Sequence, residues 1–179
     1  EASWQESLLL GRFAPDPETS LRYAACAAKA SRLLRKYDPQ LADRYRESAV
    51  RAWDWALKNT DAVIAKETQS SIGTRNRTPE QLHQTVRDTE ALAAVALYRL
   101  TGEEKYHAAF QSVTNLGTAG GDLEKQFNAT FAYALLPDAM ADADLKREAI
   151  DWFEKAALDS MAFANANAFN LTCRIPMLP

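Results

Sequence analysis

Between Leu41 and Ala56 the apolar side chains of Leu41, Tyr45, Ala49, Ala52 and Ala56 recur at three- and four-residue spacing, with Trp53 adjoining. Arg44, Glu47, Arg51, Asp54 and Lys58 fall on the other side. That is the period of an amphipathic helix with one face buried and the other in water. Its start is marked by Asp38 as a cap and Pro39 at the first helical position, and Asp16-Pro17-Glu18 and Thr78-Pro79-Glu80 repeat that chemistry. At the third start Gln81 completes a capping box with Thr78. A polar cap lends an acceptor to the free N–H groups of the first turn, and Pro fits where an N–H would have no partner inside the helix. From these starts the pattern predicts helices at about 17–37, 39–59 and 79–101, then about 103–113 after Gly102, 122–136 and 143–164.

The first helix differs from the second. Ala24, Ala25, Ala27, Ala28 and Ala30 are spread nearly around it, and side chains this small let neighbouring helices approach closely, so it is expected to be an inner helix. The link Tyr37–Pro39 is too short for anything but an antiparallel hairpin. Thr60–Arg77, with its polar "KETQSSIGTRNRT", and Thr114–Gln126, "TNLGTAGGDLEKQ", are expected to be long loops, where function tends to sit on a rigid helical frame. No alternating β pattern persists, so the fold class is all-α, built from antiparallel helical hairpins. Helix starts near 17, 39, 79 and 103 are unevenly spaced, which excludes a solenoid of fixed period.

Composition adds exclusions. The 179 residues fit one all-α domain over 1–179, or a piece of a larger one, and 47% apolar with 25% charged residues is ordinary for a globular chain. The 21 Lys and Arg are interleaved with 24 Asp and Glu, so no basic stripe for a nucleic-acid backbone stands out. No apolar run approaches the roughly 20 residues a bilayer crossing needs. A start at Glu1 rather than Met, with no leader pattern, and an abrupt "RIPMLP" end point to a processed or excised chain. Cys26, in "YAACAAKA", is expected to pack as a small buried thiol, and its pairing with Cys173 is left open. The sequons at Asn76, Asn128 and Asn170 carry meaning only in a eukaryotic secretory pathway.

Candidate chemistry is sparse. Asp88 and Glu90 lie two residues apart on a helix and so point to different sides, which argues against a joint acid and base role. Both suit the early turns of a helix or a solvated face. Asp122 and Glu124 read as another helix start. His83 and His107 have no Glu or Cys at ligand spacing, so neither metal nor other cofactor is expected. "GTAGGD" follows no strand and reads as a flexible turn rather than a phosphate loop. Among the aromatics Trp4, Trp53, Trp55, Trp152, Phe127 and Phe131, any could stack on the apolar face of a pyranose. Trp53 and Trp152 are expected in the core, whereas Phe127, next to a long loop, is the one least expected there.

Two blocks carry a family resemblance. Ser20–Ala56, "SLRYAACAAKASRLLRKYDPQLADRYRESAVRAWDWA", resembles the helix pair of family 9 glycoside hydrolases, the cellulase-type enzymes: an Ala-rich helix, then "YDP", then a helix closing in "AW-x-W". Asp88–Tyr106, "DTEALAAVALYRLTGEEKY", is similar to that family's acidic start, Ala-rich helix, "LY" and "TG-x-x-KY" turn. The resemblance implies an (α/α)6 toroid of six helical hairpins whose rim loops form a sugar-binding cleft. Long helices at 1.5 Å per residue would then be its staves, and 179 residues cover only about half of such a ring. Asp88 matches the family's acidic position, and Phe127 falls near a rim aromatic. Leu92 stands where members often have Trp, and Ala96-Leu97-Tyr98 replaces "ELY".

The family's Asp-Ala-Gly-Asp base motif, its Pro-His-His-Arg type motif and its late catalytic Glu find no counterpart here, so no catalytic carboxylate is carried over. The expectation is therefore the central portion of a family 9-like hydrolase of a β-glucan or related glycan, secreted or periplasmic and inactive alone. Asp88 and Phe127 would contact oligo- or polysaccharide. Covering the exposed inner faces of half a ring calls for a homo-oligomer or association with the missing part. The alternative is a non-catalytic α-helical carbohydrate-binding or protein-interaction module.

Overall fold

The computed structural model describes residues 16–68 and 77–166. They form α1 (Pro17–Leu34), α2 (Pro39–Thr68), α3 (Pro79–Thr101), α4 (Glu104–Val113), α5 (Phe127–Ala134) and α6 (Ala143–Ala166), with a 3-10 turn at Asp138–Met140. No strand occurs among the described residues.

All three expected caps are formed. Asp16 accepts from the Thr19 N–H and Asp38 from that of Leu41, both at 2.9 Å. Thr78 and Gln81 exchange hydrogen bonds in both directions, 2.9 and 3.3 Å. At the other end of α3, Gly102 takes φ +71°, the left-handed conformation that costs glycine least, and its N–H closes on the Tyr98 carbonyl at 2.8 Å.

Three boundaries differ from the sequence reading. The first helix stops at Leu34 rather than near 37. The second continues through 60–68, so the first part of the expected loop is helix, and 69–76 lie outside the described residues. Here Asn59 and Thr60 turn their polar side chains onto the carbonyls of Trp55 and Ala56, 2.7 and 2.8 Å away. Such i−4 bonds let polar residues sit within a helix. The helix expected from 122 begins at Phe127. Asp122 does not start a helix; its side chain accepts from the Glu124 N–H at 3.2 Å, closing a local turn.

The order of the helices follows from their contacts. α1 packs on α2 antiparallel: Tyr23 meets Ser48 at 2.8 Å, Ser31 donates to the Ala42 carbonyl at 2.7 Å, and Arg35 reaches Asp43 at 2.7 Å. α5 and α6 are likewise antiparallel, with Phe127 against Trp152 and Phe153, and Lys146 donating to the Leu136 carbonyl at 2.6 Å. α1 also packs on α3, and α3 on α5. These contacts run in parallel. Arg99 in the last turn of α3 is near enough to feel the charge of Arg32 in the last turn of α1, while Asp88 bonds Gln126 at the start of α5. So α1, α3 and α5 form one row of parallel helices, flanked by their hairpin partners α2, α4 and α6.

The consequence is a two-edged sheet of hairpins. The links at 35–38, 102–103 and 135–142 all lie at one edge. The N-termini of α1, α3 and α5, the C-terminal end of α2 and the connection after α4 lie at the other. The 114–126 stretch, one of the two marked in the sequence as places for function, therefore lies at this second edge, while 69–76 of the other lie outside the described residues.

Close packing of the inner row rests on small residues. Ala24, Ala25, Ala27 and Ala28 of α1 and Ala91, Ala93 and Ala94 of α3 are all buried, which fits the inner position expected for the first helix. Ala94→Leu is expected to overpack this row and cost about 1–3 kcal/mol, whereas Ala108→Leu, at an exposed site on α4, should cost little. Urea melts of both variants beside the parent decide it. Trp53, as expected, is buried, with its ring edge-on to Tyr106 at 5.6 Å. Cys26 is not: it is exposed on α1, and Cys173 lies outside the described residues.

Candidate functional site

The edge carrying the N-termini of the inner row is organised by Gln126. This residue is buried, and its amide is fully used: Nε2 donates to Asp88 Oδ1 at 3.0 Å and to the Val113 carbonyl at 2.9 Å, and Oε1 accepts from the Asn115 N–H at 2.8 Å. One side chain thereby pins both ends of the 114–126 connection to α3. Asn115 also donates to the Asp122 carbonyl at 2.8 Å, and the Gly117 N–H donates to Glu148 of α6 at 2.7 Å. Gly121 is required by packing, since a Cβ there would lie 2.5 Å from the Asn115 carbonyl oxygen. The segment expected to be a flexible turn is a pinned one.

Asp88 is half-buried in the third turn of α3 and accepts from Gln84 at 2.9 Å as well as from Gln126. It belongs neither to a solvated face nor to the first-turn dipole. Glu90 points elsewhere, and burial pushes its carboxyl above the usual range, with Arg87 opposing. A raised folded-state pKa means that Glu90 favours folding fully only below the ordinary carboxylate pKa, and that this contribution is lost as pH rises through the raised value. Glu90→Gln should therefore raise the melting temperature at neutral pH and leave it unchanged near pH ~4. Equal shifts at both would contradict this.

Phe127 follows Gln126 directly and is 49% exposed. Its ring stands edge-on to Trp152 at 6.0 Å and to Phe153 at 5.1 Å, and Phe131 meets Phe153 at 5.4 Å. Trp152, expected in the core, is only half-buried in this surface cluster. Trp55 is half-buried, and Trp4 lies outside the described residues, as do the sequon residues Asn76 and Asn170. Asn128 is exposed. Asp88 is thus bonded to Gln126, the residue before Phe127, while the Phe127 ring itself packs on α6. The sequence reading passed over Gln126 and Phe153. The signal for Gln126 was weak, an amide between Lys125 and Phe127 at a loop end.

Beneath the edge, His107 is buried between Glu104, 3.1 Å from Nδ1, and the Tyr133 hydroxyl, 3.0 Å from Nε2. Tyr133 oxygen accepts from the Asp142 N–H at 2.9 Å, leaving its own proton for Nε2. His107 lies flat against Tyr98 at 4.7 Å, and Tyr133 against Phe110 at 4.5 Å. This is a structural stack. Among the described residues no three His, Cys, Asp or Glu side chains converge as a metal site would require, and no helix is long and apolar enough to cross a membrane.

Parallel inner helices with antiparallel outer partners are the architecture of an α/α toroid, and the described residues supply three of its hairpins. Comparison with known proteins agrees. The signature of glycosyl hydrolase family 9 matches residues 10–172, and the chain belongs to that family. A thermostable single-mutant endoglucanase from Alicyclobacillus acidocaldarius has a similar fold, with TM-score 0.65 and 16% identity over 90% of this chain. The chain spans 30% of that protein's length. No curated protein matches it by sequence.

Proposed function

We propose that this chain is a three-hairpin portion of a larger (α/α)6 glycoside hydrolase domain, and that the edge formed by the N-termini of α1, α3 and α5 contributes to a cleft for a β-linked glucan or related polysaccharide. The observation that carries this is the family match across 10–172 together with the placement of Asp88 and Phe127 at that edge. The exposed Phe127 ring offers an apolar face to a pyranose, and Asp88, with a carboxylate oxygen beyond its two amide partners, accepts from a sugar hydroxyl. The residues that would protonate the leaving oxygen and activate water lie outside this chain, so the chain alone binds without hydrolysing. A secreted or periplasmic site of action suits a polymeric substrate.

A second reading is favoured by one observation: Asp88 is already held by Gln84 and Gln126, as in a residue serving the fold. In that case the module binds carbohydrate or protein without belonging to a catalytic cleft. Titration calorimetry with cello-oligosaccharides separates the readings. Phe127→Ala should weaken binding by about tenfold, the effect of losing one stacked ring. Asp88→Asn, which retains an acceptor for Gln126, should weaken it less. Unchanged affinity in both variants would remove these residues from the site.

A further inference from the structure

The pinned connection 114–126 lies along α6. The Gly117 N–H donates to Glu148 at 2.7 Å, and a Cβ on Gly117 would lie 3.1 Å from the Leu145 side chain. Beside this seam is a groove of about 480 Å3, with Leu123 of the connection on one wall and Arg147, Glu148, Asp151, Trp152 and Lys155 of α6 on the other. That size falls within the roughly 300–1,000 Å3 of small-molecule sites. Both walls are described residues joined by their own contacts, so the groove belongs to these hairpins whatever adjoins them.

Its lining suits a neutral polyol. Asp151 and Lys155 are exposed about one turn apart, and neither side chain has a hydrogen bond or ion pair among the described residues. Arg147 uses one N–H on Asp144 at 3.0 Å, and Glu148 one carboxylate oxygen on Gly117, which leaves donors on the first and an acceptor on the second. With two cations beside the carboxylates the groove does not attract an anion, and among the described residues no carboxylates converge as a cation site would require. Trp152 supplies an apolar ring, half-buried, with Phe127 at 6.0 Å and Phe153 at 4.8 Å as its aromatic neighbours. An indole framed by available donors and acceptors matches a pyranose, which is apolar on its face and hydroxylated around its rim.

We infer that this groove is a further saccharide subsite, in which a pyranose lies against Trp152 while Asp151 accepts from its hydroxyls and Lys155 donates to them. Because Trp152 also borders Phe127, the subsite continues the edge onto the flank of α6. A glucan as the occupant rests on the cleft reading, whereas the residues of the groove are its own.

The test is titration of the 179-residue chain with cellotetraose, following the Trp152 indole N–H, assigned through Trp152→Phe, together with the amides of 147–155. These signals should shift and saturate. Asp151→Ala combined with Lys155→Ala, both at exposed helix positions that alanine suits, should weaken the affinity read at the indole about tenfold. The helical circular dichroism and the shift changes at Asp88 and Phe127 should remain. Stationary signals at Trp152 and 147–155 while Asp88 and Phe127 respond would overturn the subsite and spare the cleft. The reverse pattern would overturn the cleft and uphold the subsite. An indole shift with unchanged affinity in the double variant would also overturn the subsite, as would silence everywhere under excess sugar.

Discussion

Replacing Tyr133 with Ala is expected to destabilise the fold by about 3–5 kcal/mol, the usual range for removing a buried aromatic. In a chain of this size that lowers the melting temperature by roughly 10 °C. Tyr133 of α5 is fully buried and reaches two further elements: its ring lies on Phe110 and near His107 of α4, and its hydroxyl accepts from the Asp142 N–H just before α6. Burial pushes its phenol above the ordinary value, so it stays protonated and keeps a proton for His107. Tyr133→Phe retains the stack and loses only the hydroxyl, and should cost about 1–2 kcal/mol. Thermal and urea melts of both variants check the division. Equal losses would mean that the hydroxyl, not the ring, holds α4, α5 and α6 together.

Gln126→Leu is expected to cost about 2–4 kcal/mol, because an isosteric apolar side chain would leave the Asn115 N–H and the Val113 carbonyl unpaired and take one donor from Asp88. The loss should be local as well as global. Hydrogen exchange at 114–126 should accelerate more than in the alanine-rich inner row, because this amide is what ties the connection to α3. Gln126→Glu keeps the shape but sets a second carboxylate beside Asp88. It should be worse than Leu at neutral pH and recover near pH ~4, where carboxylates begin to protonate. Uniform exchange across the chain would show that the connection is held by something other than Gln126.

These two residues mark where the sequence was legible and where it was not. Helix starts were plain, since Asp-Pro and Thr-Pro signal a cap and a first turn through local chemistry, and all three formed. The inner position of α1 was readable from alanines on several faces. The true start of α5 was hidden, because no side-chain cap marks it and its first residue is held by a bond from Gln126 to a helix 38 positions away. The polar run from Lys66 suggested a loop from 60 onward, whereas Thr60 bonds back to the Ala56 carbonyl and Ile64 is buried, which carries the helix on. Cys26 misled for a related reason: in an Ala-rich run the sequence does not say which face lacks a neighbour. Asp88 and Phe127 were picked as sugar contacts from family resemblance, and the link between them through Gln126, which bonds Asp88 and precedes Phe127, was not legible in the sequence.

The account's centre is the proposal that the connection after α4 and the N-termini of α1, α3 and α5 make one glycan-facing edge. Amide chemical shifts followed during titration with cello-oligosaccharide test this most directly. The expected changes gather around Asp88, 114–126 and Phe127, leaving 35–38, 102–103 and 135–142 still. Changes concentrated at that opposite edge, or none at all under saturating sugar, would contradict it.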